Sequence, residues 1–338
     1  MRVLNIHGVG DVRLDAYELP EVGPRDVTLR MKACGICGSD LSYIEMGGIM
    51  RPEGGVTPLG HEGAGEVCQV GAEVEGVSLG QRVIFNPMKT PNNVGSGGPE
   101  GGFVDELLVR EAQIGTNLLP IPEGVPFDVA AMCEPLAVAL HGVSRAEVQP
   151  GDKVVVYGCG PIGLGMVLWL VDRGIEDVIV LDLADERLER AKALGARAVV
   201  NPTRENARER IGELHGETRN IVGHPAVGTD AFIDAAGAPE IIGDIIGMTK
   251  AHARIVVTAS YMQPVQLPIG RMLTSEPTLT TAVGYPTEMP EVIDAMLRLG
   301  ARIESMISHR LPFDRVLEGL KIAGTPQSAK VMVEFPSA

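Results

Sequence analysis

The chain has 338 residues, which is long for one ordinary domain and suits two domains that each bury a core. Its 29 basic and 44 acidic residues give a net charge of −15, which disfavours binding to nucleic acid or to an anionic membrane. We find no apolar stretch long enough to span a bilayer and no signal-peptide pattern, so we expect a cytoplasmic protein. Five irregularly spaced cysteines argue against a disulfide framework and leave thiols available to bind metal.

The first 140 residues are rich in glycine and in short runs that alternate apolar and polar side chains. Val27, Leu29 and Met31, for example, are separated by polar neighbours. Such alternation is typical of half-buried strands, so we predict a β-rich domain here.

Metal-ligating residue types occur at three places in this first region. A catalytic zinc site keeps three protein ligands and one open position, and Cys37, His61 and either Glu62 or Glu134 would supply the three. Asp40 is expected to accept a hydrogen bond from the second imidazole nitrogen of His61 and so to fix its tautomer. The residues alone leave open which glutamate is the third ligand.

From residue 153 the pattern changes to apolar strands that alternate with helices. A strand at 153–157 enters a glycine turn and a buried helix, and the next strand ends at Asp182, which is a βαβ unit. The turn residues that would hold a dinucleotide pyrophosphate are Gly158, Gly160, Pro161, Ile162 and Gly163. Asp182 would accept hydrogen bonds from both ribose hydroxyls and repel a 2′-phosphate, which favours NAD over NADP.

Leu183 and Arg187 are further candidates for the same cofactor site. Leu183 follows it directly, and Arg187 is a few residues further on. Arg187 could contact the adenine, and it could equally be a surface residue held by neighbouring carboxylates.

Further strands are predicted at 198–200, 231–234, 255–259 and 279–283, with helical stretches between them. Together they predict a doubly wound parallel sheet. Residues 203–228 are interpreted as a helix plus a surface loop. A helix at 289–299 and a strand at 330–335 are expected to return to the N-terminal domain, which gives domains at 1–143 and 144–284 and a C-terminal return at 285–338.

The sequence resembles the zinc-dependent medium-chain dehydrogenases/reductases, nearest the branch of the sorbitol, idonate and threonine dehydrogenases. The shared stretches are C-G-I-C-G-S-D at 34–40, L-G-H-E at 59–62, E-P-L-A-V-A at 134–139, G-x-G-P-I-G at 158–163 and A-K-V at 329–331. This resemblance implies an α/β protein in which a β-rich GroES-like catalytic domain accompanies a Rossmann domain.

The resemblance also implies roles for individual residues. It implies a catalytic zinc at Cys37 and His61, with Glu62 on or near the metal and Glu134 bound directly or through water. The other implied contacts are Ser39 with the reacting alcohol, Tyr43 and Tyr285 with the substrate, Val138 with the nicotinamide and Lys330 with the cofactor phosphates.

Three departures from the family pattern limit these expectations. Residues 86–102 lack the four cysteines that commonly hold a structural zinc, so we expect a single catalytic zinc and a short flexible loop in place of that lobe. Ser42 stands where a histidine often ends the proton relay, and a hydroxyl cannot hold a proton near neutral pH. Gly284 stands where similar polyol enzymes have an arginine, which makes a polyol phosphate less attractive as a substrate.

These observations predict a zinc- and NAD-dependent oxidoreductase for a secondary alcohol of the polyol, sugar acid or diol class. Its partner would be a small-molecule alcohol, and we expect the protein to bind neither nucleic acid nor a membrane. We expect a homodimer or homotetramer. One alternative is a threonine or butanediol type of dehydrogenase. The other is a nucleotide-binding redox sensor that has lost catalysis.

Overall fold

The structure is a computed structural model that describes residues 1–49 and 55–336. It divides into two compact units, and each is described by itself. Unit 1 comprises Met1–Glu134 and Met289–Ala338, and unit 2 comprises Pro135–Glu288. These boundaries lie at 134/135 and 288/289, against 143/144 and 284/285 in the prediction from sequence.

The N-terminal part of unit 1 consists of strands joined by short turns and few helices. Its elements are β1 (Arg2–Gly8), β2 (Asp11–Ala16), β3 (Val27–Ile36), α1 (Gly38–Met46), β4 (Thr57–Pro58), β5 (Glu62–Val70), β6 (Arg82–Phe85), β7 (Glu106–Val109), β8 (Leu118–Pro120) and α2 (Phe127–Ala131). Helix α3 (Cys133–Arg145) begins in unit 1 and continues into unit 2.

Unit 2 alternates strands and helices. Its elements are β9 (Lys153–Tyr157), α4 (Pro161–Asp172), β10 (Asp177–Leu181), α5 (Asp185–Ala193), β11 (Ala198–Val200), α6 (Ala207–His215), β12 (Glu217–Arg219), β13 (Pro225–Val227), β14 (Ala231–Asp234), α7 (Ile241–Met248), β15 (Arg254–Val257), α8 (Ile269–Met272) and β16 (Thr278–Thr281).

The parallel sheet of unit 2 has the strand order β11-β10-β9-β14-β15-β16. Its central strands are almost continuously apolar because a parallel sheet is covered on both faces. Helix α4 is buried along most of its length, and Pro161 occupies its first turn, where no amide hydrogen is needed. The chain order reverses between β9 and β14, which is where open α/β sheets bind nucleotides. The predicted doubly wound sheet is thereby confirmed.

Residues 203–228 differ from the predicted helix and surface loop. The helix is present as α6, but β12 and β13 then form an antiparallel hairpin in which Glu217 pairs with Val227. The hairpin was missed because β12 is short and fully exposed, so it carries no apolar alternation.

The C-terminal part of the chain completes unit 1 with α9 (Met289–Ser305), β17 (Ile307–Pro312), α10 (Val316–Ala323) and β18 (Lys330–Glu334). One sheet of unit 1 has the order β17-β18-β3-β5-β6-β8, with β7 also paired to β3, and a smaller sheet has the order β2-β1-β4. Strand β3 is antiparallel to both β5 and β18, so its end lies beside their beginnings. Within the described residues, every helix is too short or too polar to cross a bilayer.

Candidate metal centre and dinucleotide turn

The candidate metal centre lies at the end of β3, where the neighbouring strands begin. Cys37 follows β3 and precedes α1, while His61 and Glu62 stand at the start of β5. One ligand atom from each of these three side chains lies within 4.8 Å of the other two. The structure therefore brings together a thiol, an imidazole and a carboxylate that lie within 25 positions of one another in the sequence.

Each ligand is placed by its own element. Cys37 stands directly before the first turn of α1, at the positive end of the helix dipole. Its backbone N–H donates to the Oδ2 atom of Asp40 at 2.9 Å. Glu62 pairs with Gly35 across β3 and β5, and a Cβ at Gly35 would lie 2.1 Å from its Oε2 atom. Gly35 therefore leaves the space that the Glu62 carboxylate fills.

The His61 ring presents its two nitrogens to different groups. Its Nε2 atom lies 3.4 Å from the Ser39 hydroxyl, and its Nδ1 atom lies 3.6 Å from Oδ1 of Asp40. The second distance is too long for a good hydrogen bond, and both of those atoms are buried without a hydrogen-bond partner. Asp40 thus faces His61 at ion-pair distance, and the hydrogen bond expected from the sequence is not formed.

The charges around the imidazole are mostly negative. Burial acts to lower the pKa of His61, but Asp40 and Cys37 outweigh it and the pKa lies well above its ordinary value. Glu134, in the first turn of α3 and 7% exposed, acts in the same direction. A group of buried acids and one imidazole of this kind is the environment of a bound cation, and the Cys, His and Glu donors fit zinc.

Lys330 belongs to this cluster, which corrects the expectation that it contacts cofactor phosphates. It begins β18 and is 1% exposed. Its ammonium group donates to both carboxylate oxygens of Glu62, at 2.7 and 2.5 Å, and to the Ile36 carbonyl at 3.0 Å. All three ammonium hydrogens can be used in these contacts, so the group has none left for a phosphate.

The pKa of Lys330 reflects the same surroundings. Burial acts to lower it, but Glu62 and then Cys37 outweigh the burial and raise the pKa above its ordinary value. Lys330 therefore stays charged and supplies a buried cation beside Glu62.

The glycine turn of unit 2 has the geometry of a pyrophosphate-binding loop. Gly158 has a φ of +93°, and a Cβ there would lie 3.0 Å from the backbone of the loop after β14. A Cβ at Gly163 would lie 1.8 Å from the Gly158 carbonyl oxygen, so glycine is required for the turn to close on α4. Gly160 precedes the first residue of α4, whose N-terminal amides face the turn.

Asp182 connects this turn to the end of β10. Its Oδ2 atom accepts from the Cys159 amide at 2.6 Å, and its Oδ1 atom accepts from the Ala184 amide at 2.9 Å. Leu183 is 69% exposed beside it. The carboxylate is thus fixed at the place where a dinucleotide ribose binds in this fold.

The remaining predicted residues are spread over the two units. Tyr43 lies on α1 in unit 1 and is half-buried. Val138 lies on α3 in unit 2, where it is half-buried between fully buried neighbours, and Tyr285 in unit 2 is 3% exposed. Their contacts with substrate or cofactor stay predictions.

Two protein families match the two parts of the chain. The alcohol dehydrogenase GroES-like domain matches residues 23–123, and the zinc-binding dehydrogenase family matches residues 161–298. Sorbitol dehydrogenase from Macaca fascicularis is 30% identical over 352 residues, which cover 98% of this chain and 95% of that protein. (R,R)-butanediol dehydrogenase from Bacillus subtilis is 28% identical, with 94% of each chain covered.

Solved structures of the same fold carry both nicotinamide cofactors. An E. coli alcohol dehydrogenase complexed with NADH is 27% identical with a TM-score of 0.84, and the match covers 99% of both chains. A zinc-binding dehydrogenase from Sinorhizobium meliloti 1021 bound to NADP is 25% identical with a TM-score of 0.85, and the match covers 98% of both. With a GroES-like unit, a parallel-sheet nucleotide unit and a Cys-His-Glu cluster, this chain belongs to the zinc-dependent medium-chain alcohol dehydrogenase family.

Proposed function

We propose that the protein is a zinc- and NAD-dependent dehydrogenase that oxidises a secondary alcohol of the polyol, sugar acid or diol class. The observation that carries the proposal is the convergence of the ligand atoms of Cys37, His61 and Glu62 within 4.8 Å. The similarity to sorbitol and butanediol dehydrogenases along nearly the whole chain supports the substrate class.

Cys37, His61 and Glu62 would hold the zinc, and Glu134 would lie beside it as a further carboxylate. Zinc in such a site acts as a Lewis acid that lowers the pKa of an alcohol hydroxyl. Lys330 would compensate the charge of Glu62, to which it is hydrogen-bonded.

The Ser39 hydroxyl would receive the proton from the alcohol. It lies 3.4 Å from His61 Nε2, next to the ligand cluster, and a hydroxyl can accept a proton while it passes its own to solvent. The Ser42 hydroxyl donates to the Gly38 carbonyl at 3.3 Å, and a hydroxyl cannot store the proton near neutral pH. The overall reaction converts the secondary alcohol and NAD to a ketone, NADH and a proton released to solvent.

We propose NAD as the preferred cofactor because the carboxylate of Asp182 would repel the 2′-phosphate of NADP. Gly158, Gly160 and Gly163 would hold the pyrophosphate with the first turn of α4. Val138 would contact the nicotinamide, and Tyr43 and Tyr285 would contact the substrate. Arg187, on α5 after Asp182, is proposed near the adenine.

We also propose that the chain forms homo-oligomers in a reducing, cytoplasmic compartment. Strand β16 ends the order of the parallel sheet, and Val283 just beyond it is 87% exposed, which supports an interface between copies at this edge. All five cysteines are free thiols, as a reducing compartment would keep them. Light scattering of the purified protein should give the mass of a dimer or tetramer.

The function is tested by formation of NADH or NADPH with a panel of sugar alcohols, sugar acids, diols and threonine, each supplied with NAD and with NADP. We expect turnover of at least one secondary alcohol in the first three classes, and none after metal removal by a chelator. Turnover of threonine alone would favour the amino-alcohol alternative. NAD binding by the zinc-loaded protein, without turnover of any member of the panel, would favour a redox sensor.

A further inference from the structure

Residues 86–102 are tied to Arg110 by an ion pair whose carboxylate is buried and whose guanidinium is partly exposed. Glu100 is 3% exposed, and its Oε1 atom accepts from Arg110 Nε at 3.0 Å and from Arg110 Nη2 at 2.7 Å. Its Oε2 atom accepts from the Asn92 amide at 2.6 Å. One carboxylate therefore ties the segment to a residue just after β7 and closes the segment on itself.

The backbone of the same segment lies against the residue before His61. The Glu100 carbonyl accepts from the Gly95 amide at 2.8 Å, and a Cβ at Gly95 would lie 2.0 Å from the Gly60 carbonyl oxygen. Gly102 donates its N–H to that Gly60 oxygen at 2.7 Å. The Gly60 carbonyl is thus enclosed between two residues of the segment.

This enclosure acts on His61 directly. A Cβ at Gly95 would also lie 3.0 Å from the His61 amide nitrogen, so the segment touches the histidine backbone. Gly60 has a φ of +96°, a conformation that few other residues adopt, and a Cβ there would lie 2.6 Å from the Phe103 amide nitrogen. The position of His61 therefore depends on how residues 92–102 pack.

We propose that Glu100 is a positioning residue for His61, and that its ion pair with Arg110 does here what a bound metal would do in a cysteine-rich lobe. The proposal rests on the proposed zinc site at Cys37, His61 and Glu62. Removal of the carboxylate leaves the Arg110 guanidinium and the Asn92 amide without their acceptor, which loosens the segment and the Gly60 carbonyl with it.

The experiment measures the metal site itself, by the visible absorption of Co²⁺ added to metal-free protein and by competition between Zn²⁺ and a chelator. Glu100→Ala should weaken metal binding about tenfold or more and alter the cobalt spectrum. Glu100→Gln should retain metal affinity within about threefold, because its carbonyl can accept from Arg110. Its side-chain NH2 replaces the Oε2 atom that accepts from Asn92 Nδ2, and it can donate to Asn92 Oδ1, which has no hydrogen-bond partner, once the Asn92 side-chain amide turns over.

Glu111→Gln is the matched control, because Glu111 is an exposed acid of the same unit that pairs with Arg25. It should leave the cobalt spectrum unchanged. A folded Glu100→Ala variant with the wild-type spectrum and affinity would overturn the proposal. If Glu100→Ala does not fold, Gly95→Ala replaces it, since its Cβ presses on Gly60 without removing a charge. Unchanged metal binding in folded Gly95→Ala would then be the contrary result.

The outcome is separable from that of the proposed function. If the wild-type protein binds Co²⁺ with a thiolate absorption band that Cys37→Ala abolishes, the Glu100 variants can be tested on this metal site even if no alcohol is oxidised. In that case the proposed function fails, and the Glu100 variants still decide the positioning role. Wild-type protein that binds no Co²⁺ through Cys37 contradicts both proposals.

Discussion

The buried pair of Glu62 and Lys330 is the most consequential contact between single residues in unit 1. Both side chains are 1% exposed, and both carboxylate oxygens accept from the ammonium. A buried charge without a partner is expensive, so each member depends on the other. Sequence reasoning identified Glu62 and singled out Lys330, but it paired Lys330 with a cofactor phosphate.

That error has a physical origin. The two residues are 268 positions apart, and their contact depends on the register of β18 and β5 against β3. Cys37, His61 and Glu62, in contrast, are ligand types at close spacing, so their convergence was predictable. Glu100 gave no comparable signal, because a glutamate in a glycine-rich segment is usually on the surface.

We expect Lys330→Met to lower the free energy of unfolding of the metal-free protein by about 3 to 5 kcal/mol, since it leaves Glu62 buried without a cation. Urea unfolding measures this change. Zinc should stabilise the variant more than the wild type, because the metal supplies a replacement positive charge. Lys192→Met, which removes an exposed partner of Glu189, should have little effect. Equal stability of Lys330→Met and wild type would contradict the buried-pair argument.

At the scale of elements, the strands of the parallel sheet were the most predictable part of the chain. The predicted strands 153–157, 198–200 and 231–234 coincide with β9, β11 and β14. They are short apolar runs bounded by turn residues, which makes their ends easy to locate in the sequence. The hairpin of β12 and β13 has exposed residues and no such pattern, so it was not predictable.

The end of β10 carries the prediction on cofactor choice. Asp182 is fixed by the amides of Cys159 and Ala184, so its carboxylate should favour NAD over NADP several-fold or more. Asp182→Ala should narrow that ratio, which is measured as kcat/KM for each cofactor. Asp185→Ala, which changes an acid on the adjacent helix α5, is the control and should leave the ratio close to that of the wild type. A wild-type protein more efficient with NADP would refute the assignment.

At the scale of the whole molecule, both units follow the family pattern, while the lobe with four cysteines is replaced by a glycine-rich segment. Among the residues that the structure describes, Cys37, His61 and Glu62 form the only group of three such ligand types with converging atoms. The expectation of a single zinc comes from the sequence, because residues 86–102 contain no cysteine.

We expect elemental analysis of the purified protein to find one zinc per chain. Cys37→Ala should remove this zinc and all activity while the circular dichroism spectrum stays that of a folded protein, because the thiol serves chemistry rather than the core. Cys68→Ala, which removes a half-buried thiol outside the cluster, should retain the metal. Two tightly held zinc ions per wild-type chain would show that a second site exists.

The ammonium of Lys330 already neutralises Glu62 from within the protein. We therefore expect unit 1 to fold without a metal ion, in contrast to domains whose folding is driven by zinc. A cell short of zinc would accumulate chains that are folded but inactive, and these chains could be activated later without new synthesis. Zinc supply would then determine the active fraction of the protein rather than the amount of folded protein.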